Sequence, residues 1–129
     1  REFDTSMLLI THHLGLVAEL CTKVAVMYAG TIVEYADMDD LFKNPLHPYT
    51  RGLLKCIPQL SEKREKLETI PGAVPDLIYT PSGCRFHPRC EYASDMCIKQ
   101  MPNLIAVGKR HQVACFLYNS ENREVEKQN

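Results

Sequence analysis

Four cysteines in the carboxyl-terminal half are the residues of this sequence with the most evident capacity for chemistry. Cys84, Cys90, Cys97 and Cys115 have five, six and seventeen residues between them. Zinc fingers normally pair cysteines about two to four residues apart, and the spacing matches neither common ferredoxin pattern. The pattern therefore indicates four thiols brought together, without indicating what they hold.

Three states of these thiols are open. They could form two disulfides in an oxidising compartment, bind zinc, or ligate an iron–sulfur cluster, which normally takes four cysteines. No secretory signal is visible, and this favours the two metal-bound states. His87 could also reach such a site, although four cysteines already complete a tetrahedral set.

Local charge also favours ionised thiols. From residue 84 to residue 115 there are five Lys or Arg and two Asp or Glu, a balance of +3. Cations stabilise thiolates and offset the negative charge of a thiolate-ligated centre. The alternative is that these are ordinary surface cations.

His12 is the second candidate for chemistry. It follows an apolar run at residues 6–11 that predicts a buried strand, and ligands bind at the carboxyl edge of open α/β sheets. A neutral imidazole there could bond a phosphate oxygen or a water molecule, or simply cap the next helix. A nucleotide-binding loop needs G-x-x-x-x-G-K-[ST], and the one Gly-Lys pair, Gly108-Lys109, lacks that context. We therefore expect no ATP hydrolysis by this chain alone.

The elements that must position these residues follow from periodicity and turn signals. Ala29-Gly30 predicts a hairpin turn between two strands, Asp37 is a helix cap, and Thr11 could cap the first helix. The predicted strands are 6–11, 23–28, 31–35 and 113–118, and the predicted helices are 13–22, a short one after Asp37, and 50–56.

Composition divides the chain. It has 129 residues, 45% of them hydrophobic, and a formal charge of -1, which argues against a nucleic-acid binder held by bulk charge. Prolines and glycines punctuate the sequence after Leu67, so we place a boundary near 68–70. The predicted parts are 1–68, a small loop-rich, cysteine-rich module at 69–118, and a polar, charged tail at 119–129. The first residue is Arg1 rather than Met, so we expect a piece of a larger protein.

Several segments together resemble the ATP-binding subunits of ABC transporters that import oligopeptides and dipeptides. Residues 9–18 (LITHHLGLVA) resemble the switch-histidine segment, and residues 26–34 (VMYAGTIVE) resemble the strand pair after it. Residues 44–54 (NPLHPYTRGLL) are similar to a segment typical of the peptide importers. Residues 71–77 (PGAVPDL) and 83–90 (GCRFHPRC) resemble the subfamily's carboxyl-terminal extension.

The resemblance implies an α/β fold: part of an ABC-type nucleotide-binding domain followed by a cysteine-rich extension. It implies that His12 contacts the γ-phosphate of ATP–Mg at a dimeric interface, and that the four cysteines carry a 4Fe–4S cluster, with zinc or oxidised thiols as alternatives. The implied partners are membrane-spanning permease subunits and a second ATP-binding subunit at the cytoplasmic face of the membrane. The family usually has an acidic residue after the switch histidine, where this sequence has His13.

The sequence also allows an alternative function and predicts self-association. A free-standing, metal-stapled binding or regulatory module is the alternative function. A truncated piece would expose apolar surface and sheet edges, so we also expect self-association.

Overall fold

A β-hairpin forms the first part of the sheet, as predicted. The structure is a computed structural model that describes residues 5–57 and 69–119. Strands β1 (Lys23–Tyr28) and β2 (Thr31–Asp37) pair antiparallel. Ala29 and Gly30 both have positive φ, 45° and 78°, as the tight turn that suits the right-handed twist of strands requires. Strand β2 continues two residues beyond the predicted end, because Ala36 and Asp37 still pair with β1.

The remaining strands come from the far end of the chain. Strands β3 (Ile105–Gly108) and β4 (His111–Val113) pair antiparallel, and β4 also pairs with β2, so the strand order is β1-β2-β4-β3. The sheet therefore unites residues from both sides of the predicted boundary near 68–70. The division into domains stays a prediction.

Two predicted strands are wrong. Residues 5–11 form no strand, and Ile10 is 89% exposed. An apolar run becomes a buried parallel strand only between partner strands, and residues 5–57 and 69–119 place none beside it. The predicted strand 113–118 ends at Val113, after which Phe116–Tyr118 forms a 3-10 turn. The turn brings the Tyr118 hydroxyl to the Leu46 carbonyl, to which it donates at 2.8 Å.

The predicted helices are present with shifted ends. Helix α1 is Leu14–Leu20, and its N-cap position is His13 rather than Thr11, whose hydroxyl accepts the His13 N–H at 3.0 Å. Asp37 precedes α2 as predicted, but its carboxylate pairs with Arg110 at 3.1 Å instead of bonding the helix N–H groups. The described helices are α1 (Leu14–Leu20), α2 (Met38–Lys43), α3 (Pro48–Lys55) and α4 (Asp95–Lys99), with a 3-10 turn at His87–Arg89.

Helix α3 begins two residues before the predicted Thr50. Proline fits the first turn of a helix because it has no N–H to leave unpaired and its φ is already helical.

None of the helices in the part of the chain that the structure describes is long and apolar enough to span a bilayer.

The core joins the hairpin to the cysteine-rich part. Phe86, next to two of the cysteines, packs edge-on against Tyr28 of β1 with ring centroids 5.1 Å apart. Leu41 of α2 is completely buried in the same cluster. Full burial of such a side chain stabilises the fold by about 1.5–3 kcal/mol. The cysteine-rich part is thus anchored to the sheet by apolar packing. The charged segment at residues 61–68 lies outside the described residues, as do residues 120–129 of the predicted tail.

Candidate metal centre

The four candidate cysteines surround one cavity. Cys84, Cys90, Cys97 and Cys115 all line a space of about 110 Å³, which we call the thiol cavity. Aromatic and apolar side chains form much of the remaining wall, among them Pro48, Phe86, Phe116 and Leu117. The structure therefore brings together the four thiols that the sequence singled out. No disulfide joins them.

Cys84 and Cys97 are held together by backbone contacts. The Cys84 N–H donates to the Cys97 carbonyl at 2.8 Å, and the Ser82 hydroxyl donates to the Ile98 carbonyl at 3.0 Å. Gly83, between Ser82 and Cys84, has a φ of +63°. A Cβ there would collide with the Cys97 carbonyl and lie 2.6 Å from the Ile98 oxygen. Only glycine permits this approach of residues 82–84 to the end of α4.

Cys90 is placed by the 3-10 turn before it. Its N–H donates to the His87 carbonyl at 3.3 Å. Arg89, the preceding residue, donates to the carbonyls of Pro71 and Ile70 at 2.9 and 3.0 Å and to the Tyr28 hydroxyl at 3.3 Å. One guanidinium thus links the turn that carries Cys90 to the hairpin.

Cys115 follows β4, which is fixed by a buried carboxylate. Glu34 of β2 is 0% exposed and accepts the N–H groups of Leu46 and His47, both at 2.8 Å. The His111 Nε2 of β4 lies 2.6 Å from the same carboxylate. This role of Glu34 was not predicted from the sequence. The available signal was an acidic residue inside an otherwise apolar strand.

Burial makes the free thiols poor acids. It raises the pKa of the Cys115 thiol to about 12, and it also raises the pKa of Cys84 and of Cys90, with the neighbouring cysteines adding to each shift. These three thiols are therefore protonated at neutral pH without a metal. Metal binding must release their protons, so it becomes tighter as pH rises.

Backbone N–H groups nevertheless point at the sulfurs. The N–H groups of Phe86 and His87 bond Cys84, that of Tyr92 bonds Cys90, and that of Leu117 bonds Cys115, and each lowers the pKa of its thiol against the effect of burial. The Ser94 hydroxyl lies 3.4 Å from the Cys97 sulfur. Donors of this kind stabilise metal-bound thiolates and orient them.

The fit to a metal depends on the size of the centre. Within residues 5–57 and 69–119, no three His, Cys, Asp or Glu side chains are arranged to hold a metal ion. A single zinc ion needs four sulfurs within about 2.3 Å, so the thiols would have to move inward around it. Four cysteine thiols are the donor set of a structural zinc ion and of an iron–sulfur cluster alike.

The two candidate histidines differ in their position relative to the thiol cavity. His12 is exposed and precedes α1, its ring centroid 4.3 Å from that of His13. It does not line the thiol cavity, and its predicted role at a phosphate stays a prediction. His87 does line the cavity, and its Nδ1 lies 2.9 Å from the Cys84 carbonyl oxygen.

Comparison with known proteins supports the resemblance. Residues 33–97 match the family model described as "Oligopeptide/dipeptide transporter, C-terminal region". This range includes β2 from Val33 onward, with the buried Glu34, and three of the four cysteines that line the cavity.

Similar proteins carry matching names. The chain is 49% identical over 113 residues to a dipeptide transport ATP-binding protein, DppD, of Caldanaerobacter subterraneus, covering 88% of this chain and 35% of that protein. It is 49% identical over 124 residues to the oligopeptide transport ATP-binding protein AppD of Bacillus subtilis, covering 96% and 38%. The oligopeptide transport ATP-binding protein OppD of Salmonella typhimurium is 46% identical over 116 residues, covering 90% and 34%. The chain thus spans about a third of the length of these relatives.

Proposed function

Because this chain belongs to the family of the oligopeptide/dipeptide transporter carboxyl-terminal region, we propose that it is part of the ATP-binding subunit that energises peptide uptake by an ABC importer. The observation that carries this proposal is the match of 88–96% of the chain to proteins named as ATP-binding proteins of dipeptide and oligopeptide transport. The alternative of a free-standing regulatory module gains no support from these relatives.

His12 is the residue that we propose for nucleotide chemistry. Its ring is exposed and precedes a helix, so it is accessible to a γ-phosphate of ATP–Mg presented at an interface with a second ATP-binding subunit. Catalysis of phosphoryl transfer is mostly positioning and charge stabilisation, and an imidazole can supply either. The chain contains no phosphate-loop sequence, so the other parts of the site would lie elsewhere in the assembly.

The partners follow from the proposal. Membrane-spanning permease subunits would receive the energy of ATP-driven closure, at the cytoplasmic face of the membrane. We assign residues 1–68 to the ATPase domain and residues 69–118 to the extension.

We further propose that Cys84, Cys90, Cys97 and Cys115 ligate a 4Fe–4S cluster. The donor set, the backbone N–H groups at three of the sulfurs and the apolar wall around them support this assignment. Such a centre supplies folding energy to a part of the chain with little regular structure. The residues of the chain bind the centre, stabilise its thiolates and exclude water.

Peptide uptake tests the function. In a strain lacking the gene, uptake of radiolabelled di- and oligopeptides should fall, and the wild-type gene should restore it. His12→Ala should restore little uptake at equal protein level. His13→Ala, a matched change at the adjacent exposed residue, should restore most of it. Unchanged peptide uptake in the deletion strain would contradict the function, and full complementation by His12→Ala would contradict the role of that residue.

A further inference from the structure

His47 is a buried imidazole on the wall of the thiol cavity. It is 1% exposed, and it lines the cavity together with the four cysteines. Its backbone N–H donates to Glu34, and its ring lies against Phe86 with centroids 5.7 Å apart. A polar side chain so deeply buried and so firmly held is fixed in one orientation relative to the sulfurs.

The hydrogen bonds of His47 determine which ring nitrogen carries the proton. Nδ1 accepts the Tyr49 N–H at 3.1 Å, which caps the start of α3, so Nδ1 is unprotonated. Burial lowers the pKa of His47 to about 4, so the ring is neutral at pH 7 and its proton is on Nε2.

The Nε2–H group has no partner within the described ranges. In those ranges the Thr50 hydroxyl is the side-chain group that is fully enclosed without a hydrogen-bond partner, and His47 Nε2 is not enclosed in this way. Nε2 therefore borders open space, and the open space that this ring lines is the thiol cavity. A free N–H donor thus borders the cavity that the four sulfurs enclose.

Negative charge is what such a donor would stabilise. Four thiolates enclosed in a largely apolar cavity carry negative charge, and burying a charge is costly unless hydrogen-bond donors offset it. Backbone N–H groups already serve Cys84, Cys90 and Cys115. We propose that His47 donates its Nε2–H to the sulfur-ligated centre of the thiol cavity, as a positioning residue that stabilises the bound thiolates. This inference rests on the proposal that the cavity holds a metal centre.

His87 provides a contrast within the same cavity. Its Nδ1 faces a carbonyl oxygen of Cys84, which can only accept, so Nδ1 carries the proton. In the neutral ring Nε2 is then a lone-pair acceptor that cannot donate. Removing His87 Nε2 should leave the stabilisation of the thiolates unchanged.

Asparagine and glutamine separate the two roles of His47. Asn can accept the Tyr49 N–H in place of Nδ1 but has nothing at the Nε2 position, whereas Gln places an N–H near Nε2 and gives up the cap. His47→Asn should therefore lose the donor and keep α3, while His47→Gln should keep the donor. His87→Asn is the matched control, because its amide can still donate to the Cys84 carbonyl.

The first measurement is the ¹⁵N NMR spectrum of the imidazoles in the metal-free, reduced wild-type chain. We expect His47 neutral with its proton on Nε2 and His87 protonated on Nδ1. A His47 proton on Nδ1 would overturn the inference, whatever the metal content of the protein.

The second measurement uses Co²⁺ as the probe, followed by its thiolate charge-transfer absorption. Loss of an outer hydrogen bond weakens metal affinity by about tenfold or more. His47→Asn should show that loss, while His47→Gln and His87→Asn should bind Co²⁺ as the wild type does. A Co²⁺ affinity of His47→Asn equal to that of the wild type would mean that His47 only caps α3, and it would contradict the proposal.

The iron–sulfur assignment is judged separately. If anaerobically prepared wild type holds iron and sulfide, His47→Asn should reduce at a lower potential, by about 59 mV for each tenfold change in the one-electron equilibrium. An unchanged potential would overturn the donor role at that centre. Wild type without iron and sulfide would remove the proposed cluster, and the imidazole spectrum and the Co²⁺ comparison would then decide the role of His47.

Discussion

Among single residues, the buried Glu34 helps to hold the chain around the thiol cavity. Its carboxylate accepts from two N–H groups of the loop before α3 and contacts His111 of β4. These contacts connect three stretches of chain that are far apart in sequence. A buried carboxylate is tolerated here because each of its oxygens has a partner.

Replacing Glu34 by Gln should destabilise the protein. The Gln amide leaves an acceptor missing for a backbone N–H that is fully buried, and an unsatisfied buried group costs about 1–3 kcal/mol. Urea unfolding monitored by circular dichroism measures the change. Glu19→Gln, at an exposed position of α1, is the control and should lie within about 0.5 kcal/mol of wild type. A Glu34→Gln chain as stable as the control would contradict the role of the carboxylate.

His47 should make stability depend on pH. Burial lowers its pKa to about 4; Glu34 opposes this shift and Arg51 adds to it. Because the unfolded chain binds the proton more readily, the stabilisation is fully present above about pH 6.5 and is lost as the pH falls through about 4. The loss amounts to about 3 kcal/mol. Urea unfolding from pH 7 to pH 4 should show a fall in wild type that is steeper than in His47→Asn by that amount, and parallel curves would refute the assignment.

Among the helices and strands, those specified by neighbouring residues were predicted correctly, and those that depend on distant parts of the chain were not. Ala29-Gly30 defines its turn by the φ values that it permits, so the hairpin was predictable from sequence. The run at residues 6–11 and the expected strand 113–118 depend on which strands lie beside them, and this information is not local. Strands β3 and β4 are four and three residues long, too short for a periodic pattern.

The candidate site divides in the same way. The number of cysteines and their charged surroundings were enough to predict four thiols at one place. The cavity itself depends on long-range contacts, such as the Gly83 approach to α4 and the Glu34 contact with β4. The wall position of His47 could not be read from sequence, because it depends on how α3 packs against Phe86.

The approach of residues 82–84 to α4 gives a prediction at this scale. Gly83→Ala should both strain a backbone at φ +63° and drive a Cβ into the carbonyls of Cys97 and Ile98. Gly30→Ala strains a similar φ, +78°, with nothing within 4 Å, so it isolates the conformational cost of about 1–2 kcal/mol. Gly83→Ala should cost more than Gly30→Ala in urea unfolding and should weaken Co²⁺ binding, while Gly30→Ala should bind normally. Equal effects of the two changes would contradict the close approach.

At the scale of the whole molecule, large apolar side chains are exposed in two segments. Leu8 and Ile10 lie in the stretch before α1, and Ile78 and Tyr79 lie in the loop before the first cavity cysteine; each is more than 80% exposed. Clustered exposure of this kind marks surfaces that are covered in an assembly.

We expect the isolated chain to self-associate through such surfaces. Sedimentation velocity over a range of concentrations should show a rising weight-average mass. The double change Leu8→Ser and Ile10→Ser should reduce the association, whereas Lys43→Ser, a change of an exposed polar residue, should not. A single monomeric species at all concentrations would contradict this expectation.

We propose that the thiol cavity of this chain holds an iron–sulfur cluster. Analysis of iron, sulfide and zinc in anaerobically purified protein tests it most directly. We expect about four iron and about four sulfide per chain, with a visible absorption that is lost in a Cys84→Ser variant. Stoichiometric zinc without iron, or a colourless protein with neither metal, would contradict it.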